Sequence, residues 1–445
     1  MSLLPKGSLS SVFTAFVGGI LAFSATPASA QFGPIMSAIG PINRSMGGTA
    51  TGAPVSASGA IMWNPATLSK LSSNELDVGG ELIIPHTDVY SQVPANTFGP
   101  GFPPVDMAGT TGNENAVFAV PTIALSYRPE ESPFTFGMGA YAIAGFGLNY
   151  AGSLTNPVLT PSPPVGLGFG PIFSQYQVMQ IAPALVYDVT DRWSISFSPL
   201  VNIGMAQLDP ALFATPDDAN ADGFPSYPSG THSTQAWGAG YSLGTYYHGD
   251  TWGLGASYKS RQWFQDYHFS TTNEIGIPQT VNFGLDLPAI ISLGGSYRGI
   301  DRVLLAADVR YLDFHNTSGF GESGFSPTGA LLGIGLKSIV AVSAGAEFKI
   351  TDAFTFRSGY SWSDNPVTPA QASANVASPL VIQNVISAGC SYQLTDALVL
   401  SFCYSRGLEN SVAGPLTTAM GPIPGTLVKS SAAVDMYTLG ATVKF

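Results

Sequence analysis

Alternating apolar and polar positions run through most of this chain, in segments of strand length. After Arg192, the odd positions Trp193, Ile195, Phe197, Val201 and Ile203 are apolar, and the even ones include Ser194, Ser196, Ser198 and Asn202. After Asp352, Phe354, Phe356, Tyr360 and Trp362 share one face, while Thr355, Arg357, Ser361 and Ser363 share the other. The last run puts Tyr437, Leu439, Ala441, Val443 and Phe445 on a single face. Successive side chains of a strand point to opposite sides, so each run predicts a strand with one greasy and one polar face.

The connections between these runs are of two kinds. Short turns occur at Pro129-Glu130-Glu131-Ser132-Pro133, Thr190-Asp191-Arg192, His248-Gly249-Asp250, Gly299-Ile300-Asp301, Thr351-Asp352 and Thr395-Asp396. Asp and Gly suit tight hairpins because they cap the backbone locally or tolerate positive φ. Longer Gly/Pro-rich polar segments lie between them, near 91–114, 149–174, 209–233, 270–280, 316–336, 365–380 and 410–431. Six short turns and seven long loops connect fourteen strands. Short turns alternating with long loops are the pattern of an outer-membrane barrel, with the short turns periplasmic.

Composition agrees. Only 10% of the 445 residues are charged, against ~25% in a typical soluble domain, and Gly (51), Pro (34) and aromatics (11%) are abundant. The net charge of −12 excludes a nucleic-acid partner, which needs a basic patch to neutralise phosphates. Residues 1–30 read as an export signal: Lys6 is the basic start, 12–23 the apolar stretch, and Ala28-Ser29-Ala30 the cleavage site. That apolar stretch falls short of the ~20 residues a spanning helix needs. An exported chain that crosses lipid without helices must close its backbone hydrogen bonds in a barrel.

Residues 31–71 do not alternate. They are rich in Gly, Ala, Ser and Thr and carry only Arg44 and Lys70 as charges. With both barrel ends at the periplasm, this stretch belongs inside the barrel mouth. The expected fold is therefore all-β: a 14-stranded antiparallel transmembrane β-barrel (75–445) whose lumen is plugged by an N-terminal hatch of short helices (31–74). Phe32, Ile35, Met36, Ile39 and Met46 become candidate ligand contacts, because Met and aromatic side chains adapt to varied greasy shapes. Asn64-Pro65-Ala66 ends the hatch.

The same parity assigns Glu81, Arg128, Asp286, Arg298, Asp308, Arg310, Glu347, Lys349 and Arg357 to inward faces, where ion pairs stiffen the barrel. Charge facing lipid would cost ~2–4 kcal/mol for Arg or Lys at mid-membrane. Cys390 falls on an apolar face and Cys403 on a polar one, so the two thiols stay free. Signs of catalysis are missing. Five scattered His and two Cys make no metal cluster, residues 333–338 lack the Gly-Lys adjacency of a phosphate loop, and no nucleophile elbow occurs. No cofactor is implied.

Four stretches carry a family resemblance. Ser45-Met46-Gly47-Gly48-Thr49-Ala50 followed by Trp63-Asn64-Pro65-Ala66-Thr67-Leu68 resembles an N-terminal hatch. Residues 258–269, opening on Tyr-Lys-Ser-Arg, resemble a strand that opens on Tyr-Arg-Ser. Leu285-Asp286-Leu287-Pro288 is similar to a Leu-x-Leu-Pro before a strand. Phe354-Thr355-Phe356-Arg357-Ser358-Gly359-Tyr360 with Asp364-Asn365-Pro366-Val367 is similar to Phe-Arg-x-Gly followed by Asp-x-Pro-Val. In order, they resemble the long-chain fatty acid and hydrocarbon outer-membrane transporters of the FadL/TodX type (OMPP1 family).

The resemblance implies a monomeric barrel in the Gram-negative outer membrane, folded by the barrel-assembly machinery and surrounded by membrane lipid and lipopolysaccharide. It implies passive uptake of a hydrophobic small molecule. Loops 209–233 and 270–280 would collect the solute, the hatch would rearrange, and the solute would leave sideways past a kinked third strand (134–148). Gly145, Phe146 and Gly147 near the end of that strand are the lateral-gate candidates. Fatty-acid members would set basic groups near a carboxylate. The strand 202–208 has none, which leaves Arg44 and Lys337 as the candidates. The alternative is a general diffusion porin or a structural outer-membrane barrel, which would have a water-filled lumen and no hatch.

Overall fold

The computed structural model describes residues 32–114, 117–230 and 232–445; the export signal read at 1–30 lies outside them. Fourteen strands form the wall. In chain order they are β1 (Glu75–Val93), β2 (Phe118–Tyr127), β3 (Phe134–Tyr150), β4 (Ile172–Thr190), β5 (Trp193–Asp209), β6 (Thr234–His248) and β7 (Trp252–Lys259). They continue as β8 (Ile290–Ile300), β9 (Val303–Leu312), β10 (Ile339–Lys349), β11 (Phe354–Ser363), β12 (Asn384–Thr395), β13 (Leu398–Gly414) and β14 (Leu427–Lys444). Each strand pairs antiparallel with the next. β1 also pairs with β14, from Glu75 opposite Lys444 to Gln92 opposite Leu427, which closes the barrel. Closure gives the wall's backbone groups partners, which lipid could not supply.

The two faces follow the alternation. Leu82, Leu254, Leu293 and Leu439 point outward and are 49–63% exposed, an apolar band that only a bilayer can cover. Ser194, Ser198, Asn202, Ser343 and Ser405 point inward and are fully buried. Cys390 is half-buried on the outer side, Cys403 is buried within, and both are free. The six short turns all join neighbouring strands at one end of the barrel.

Some details differ from the reading of the alternation. β7 ends at Lys259, and residues 263–283 leave the wall to form a short pairing of Trp263–Phe264 with β6 and an accessory hairpin, Tyr267–Thr272 with Pro278–Phe283. This hairpin alternates like a wall strand, but it lies among the long loops. Of the charges assigned to the lumen, Glu81, Asp308, Arg310 and Arg357 are buried inside. Arg128, Arg298 and Lys349 also face inward, at the solvent-exposed mouth, where Arg128 donates to Ser69 O and Arg298 to Pro54 O of the N-terminal segment; Asp286 instead belongs to the loop before β8, where it pairs with Arg261 at 2.7 Å. The parity fails for Asp286 because the wall strand it would join starts only at Ile290.

The N-terminal segment fills the lumen. Helix α1 (Pro41–Ser45) touches β11 to β14, and helix α2 (Ala57–Trp63) touches β1, β2 and β3. A 3-10 turn, Pro65–Lys70, touches β3 to β6. Contacts to opposite walls place the segment across the barrel. Local capping shapes it: Ser56 accepts from Gly59 N at 3.2 Å, and Asn64 accepts from Ala66 N at 3.2 Å with Pro65 in the first turn position.

Candidate functional site

Three layers stack inside the barrel. The lowest is a rigid seat for residues 42–70. Asp308 Oδ2 accepts from the main-chain N–H groups of Ala50 (2.9 Å) and Thr51 (3.0 Å), and from Arg310 (2.6 Å). Arg310 also donates to Gly48 O at 2.8 Å and lies 3.8 Å over the Trp63 ring. Asn64 donates to Thr51 O and Thr245 O, and Ser257 donates to Trp63 O. Glu75 and Asp77 on β1 accept from Ala57 N (2.7 Å) and Ser58 N (3.0 Å) at the start of α2. Inward glycines let the two backbones touch: a Cβ on Gly255 would meet Thr51 O at 1.7 Å, and one on Gly359 would meet Gly47 N at 2.0 Å.

The middle layer is residues 32–39, which are buried. Met36 N donates to Ile143 O at 2.8 Å, Gly145 N donates to Pro34 O at 2.9 Å, and Ile35 bridges Ala144. This edge of β3 is free because β2 and β3 pair only between Thr122–Tyr141 and Tyr127–Phe136. β3 carries a register shift between Ala142 and Ala144, so Ile143 is the bulged residue. Gly145, Phe146 and Gly147 lie just above the bulge and keep regular pairing with β4. The N-terminal peptide thus occupies the wall position that β2 vacates. Higher up, Asn113 and Glu114 reach Tyr150 and Asn149.

The upper layer is an apolar cavity of about 80 Å³ under the long loops, lined by Phe146, Tyr176, Phe213, Phe269, Phe283 and Phe320 among others, with no charged side chain. Phe213 packs 4.4 Å from Phe269 and 4.9 Å from Phe283 between ring centroids, and Phe320 lies 6.0 Å from Tyr176. Tyr227 donates to Gly329 O at 2.8 Å and ties two of these loops; burial pushes its phenol up to about 12. Beneath the seat, a mouth of about 350 Å³ opens among Lys70, Glu75, Arg298, Glu347, Lys349 and Arg357. The lumen is greasy on the loop side and charged on the side of the short turns.

The candidate contacts divide. Phe32, Ile35, Met36 and Ile39 share one buried cluster with Tyr176 and Phe320 of the cavity. Met46 packs separately with Ala53, Leu304 and Ala306. Arg44 is committed to Glu81 at 2.8 Å and to Ala38 O at 2.8 Å, all buried. Lys337 is exposed, and its main-chain N–H donates to Pro366 O. The cavity aromatics Phe213, Phe269, Phe283 and Phe320 escape a reading based on strand parity because they lie outside the wall.

The family model described as outer membrane protein transport protein (OMPP1/FadL/TodX) matches residues 19–445. No curated protein matches the chain. Among solved structures, the toluene transporter TbuX of Ralstonia pickettii is 21% identical, with 92% of this chain and 99% of that one covered and a TM-score of 0.65. The toluene transporter TodX of P. putida is 18% identical over 92% and 99% of the two chains, with a TM-score of 0.66. A FadL homologue of Pseudomonas aeruginosa is 15% identical over 93% and 100%, with a TM-score of 0.68.

Proposed function

Because this chain belongs to the outer membrane protein transport family (OMPP1/FadL/TodX), we propose that it takes up hydrophobic compounds by the route its lumen outlines. The protein is an integral outer-membrane barrel and a transport protein, not an enzyme. Its cargo is long-chain fatty acids or hydrocarbons and aromatics. TbuX and TodX are toluene transporters with the same fold, which supports the hydrocarbon end of that range.

A solute collected by loops 210–233 and 260–289 enters the aromatic cavity. Burial of apolar area at ~25 cal/mol/Å² is enough to capture it from water. Residues 32–39 then withdraw. The same movement frees the edge of β3, so the solute leaves sideways into the bilayer past Gly145, Phe146 and Gly147. The observation that carries this reading is that one peptide both underlies the apolar cavity and fills the gap in the wall. The charged mouth below the seat favours sideways exit over release to the periplasm, since greasy solutes gain nothing there.

The test is uptake of labelled toluene, an alkane and oleate by the reconstituted full chain. Saturable uptake that is lost on deletion of residues 32–39 supports the reading. Liposome swelling by sugars, without saturable uptake of any of the three, would instead identify a diffusion porin.

A further inference from the structure

The floor of the aromatic cavity holds two phenol hydroxyls that the route above leaves unused. Tyr176 of β4 lines the cavity opposite Ala206 of β5. Tyr267, the first residue of the accessory hairpin, reaches the same floor from the loop side. Its ring stacks on Phe264 with centroids 6.2 Å apart, and its oxygen stands over Gly204, one inward position below Ala206. A Cβ on Gly204 would overlap that oxygen, so glycine is what gives the hydroxyl room. Both tyrosines are fully buried.

Neither hydroxyl makes a well-formed hydrogen bond among the described residues. The two lie close enough to interact with each other, but a bond between them would use one O–H and leave the other without an acceptor. The Asp286 carboxylate acts on both, yet its oxygens are committed: Oδ2 accepts from Arg261 at 2.7 Å and Oδ1 from Phe264 N at 2.8 Å. Its negative charge also disfavours a second anion on the same floor. The neighbouring rings of Phe146, Phe264, Phe269 and Phe320 offer no oxygen or nitrogen. A buried hydroxyl without a partner is costly, and phenylalanine at either position would avoid that cost. An unpaired polar pair at the edge of an apolar cavity calls for a ligand that brings one polar atom.

We infer that the Tyr176 and Tyr267 hydroxyls form a subsite for the neutral oxygen of an oxygenated hydrocarbon, of which a phenol is the simplest aromatic case, with the apolar body of the ligand held among the cavity rings. The inference rests on the proposed transport function and narrows its cargo. One tyrosine O–H donates to the ligand oxygen, and a ligand hydroxyl donates in return to the other tyrosine, so a phenol or an alcohol satisfies the pair. A pure hydrocarbon fills the cavity and leaves the pair as it is. The site therefore discriminates by a single hydrogen-bonding atom, as buried polar groups do against a ligand that lacks their partner.

The test compares p-cresol with p-xylene, a hydroxyl in place of a methyl, bound to the full chain in lipid nanodiscs and corrected for uptake by empty nanodiscs. Tyr267→Phe should weaken p-cresol binding about fivefold, the worth of one net hydrogen bond, and leave p-xylene binding unchanged or tighter. Tyr176→Phe should do the same. Gly204→Ala, which pushes the Tyr267 hydroxyl aside without removing it, should also weaken p-cresol alone. If the variants do not fold, the wild type labelled at tyrosine Cζ carries the test: the Tyr176 and Tyr267 resonances should shift further with p-cresol than with p-xylene. Equal changes for the two ligands in both Phe variants, or no change for either, would overturn the subsite alone, as would equal resonance shifts. Binding of neither ligand by the wild type would overturn the transport reading with it.

Discussion

Ile35 pairs with Ala144 as an antiparallel bridge, with Pro34 O and Met36 N hydrogen-bonded to the flanking Gly145 and Ile143. A segment from the start of the chain thereby serves as a short piece of barrel wall. Its contact with the wall at β3 consists of two main-chain hydrogen bonds and apolar packing, while its far end, at Ser37 and Ala38, accepts from Arg44 of the plug. Residues 42–70, in contrast, are fastened by buried charges. This difference in fastening decides which part can move.

The seat depends on close backbone approach. Gly255→Val places side-chain atoms where Thr51 O now lies, and overpacking of this kind costs about 1–3 kcal/mol or more. We expect an intact barrel with a displaced plug. In planar bilayers the variant should show a raised ion conductance, while the barrel keeps its heat-modifiable mobility on gels.

Asp308 is the polar centre of that seat. Asp308→Ala leaves Arg310 buried without its partner, a loss of about 3–5 kcal/mol. Asp308→Asn keeps an acceptor and should lose less, about 1–3 kcal/mol. Amide exchange at Ala50 and Thr51 should speed up in the Ala variant, and less so in the Asn variant.

The cavity should be blocked by filling it. Ala206 lines it from β5 and is buried. Ala206→Phe would occupy the space that a ligand needs and lower toluene and oleate affinity by about tenfold or more, the equivalent of ~1.4 kcal/mol. Thermal stability of the barrel should change little, because the new ring enters an existing cavity. Isothermal titration and melting curves check the two parts separately.

The wall could be read from the sequence because lipid and lumen make opposite demands on alternate residues: Trp193, Ile195 and Phe197 are exposed, and Ser194 and Ser198 are buried. The plug was legible as the stretch that does not alternate. Its partners were not, since Asp308 meets Ala50 only when the barrel closes. Tyr267 and Phe269 alternate as a wall strand would, and only tertiary packing sets them among the loops. The irregularity in β3 falls at Ile143 rather than at the glycines, because glycine permits regular pairing as readily as it permits a bulge. Lys337 reads as an available cation, but strand parity says nothing about where a loop residue points, and it lies exposed at the surface.

Whether residues 32–39 must leave the wall is tested most directly by tying them to it. Ile35→Cys and Ala144→Cys, in a chain with Cys390→Ser and Cys403→Ser, would sit within disulfide reach, as cross-strand partners are ~4.5–5.5 Å apart at Cα. Uptake of labelled toluene and oleate is measured in proteoliposomes before and after oxidation. Uptake should stop on oxidation and return on reduction, with the barrel folded throughout. Undiminished uptake through the oxidised, cross-linked protein would contradict a route that needs this peptide to move.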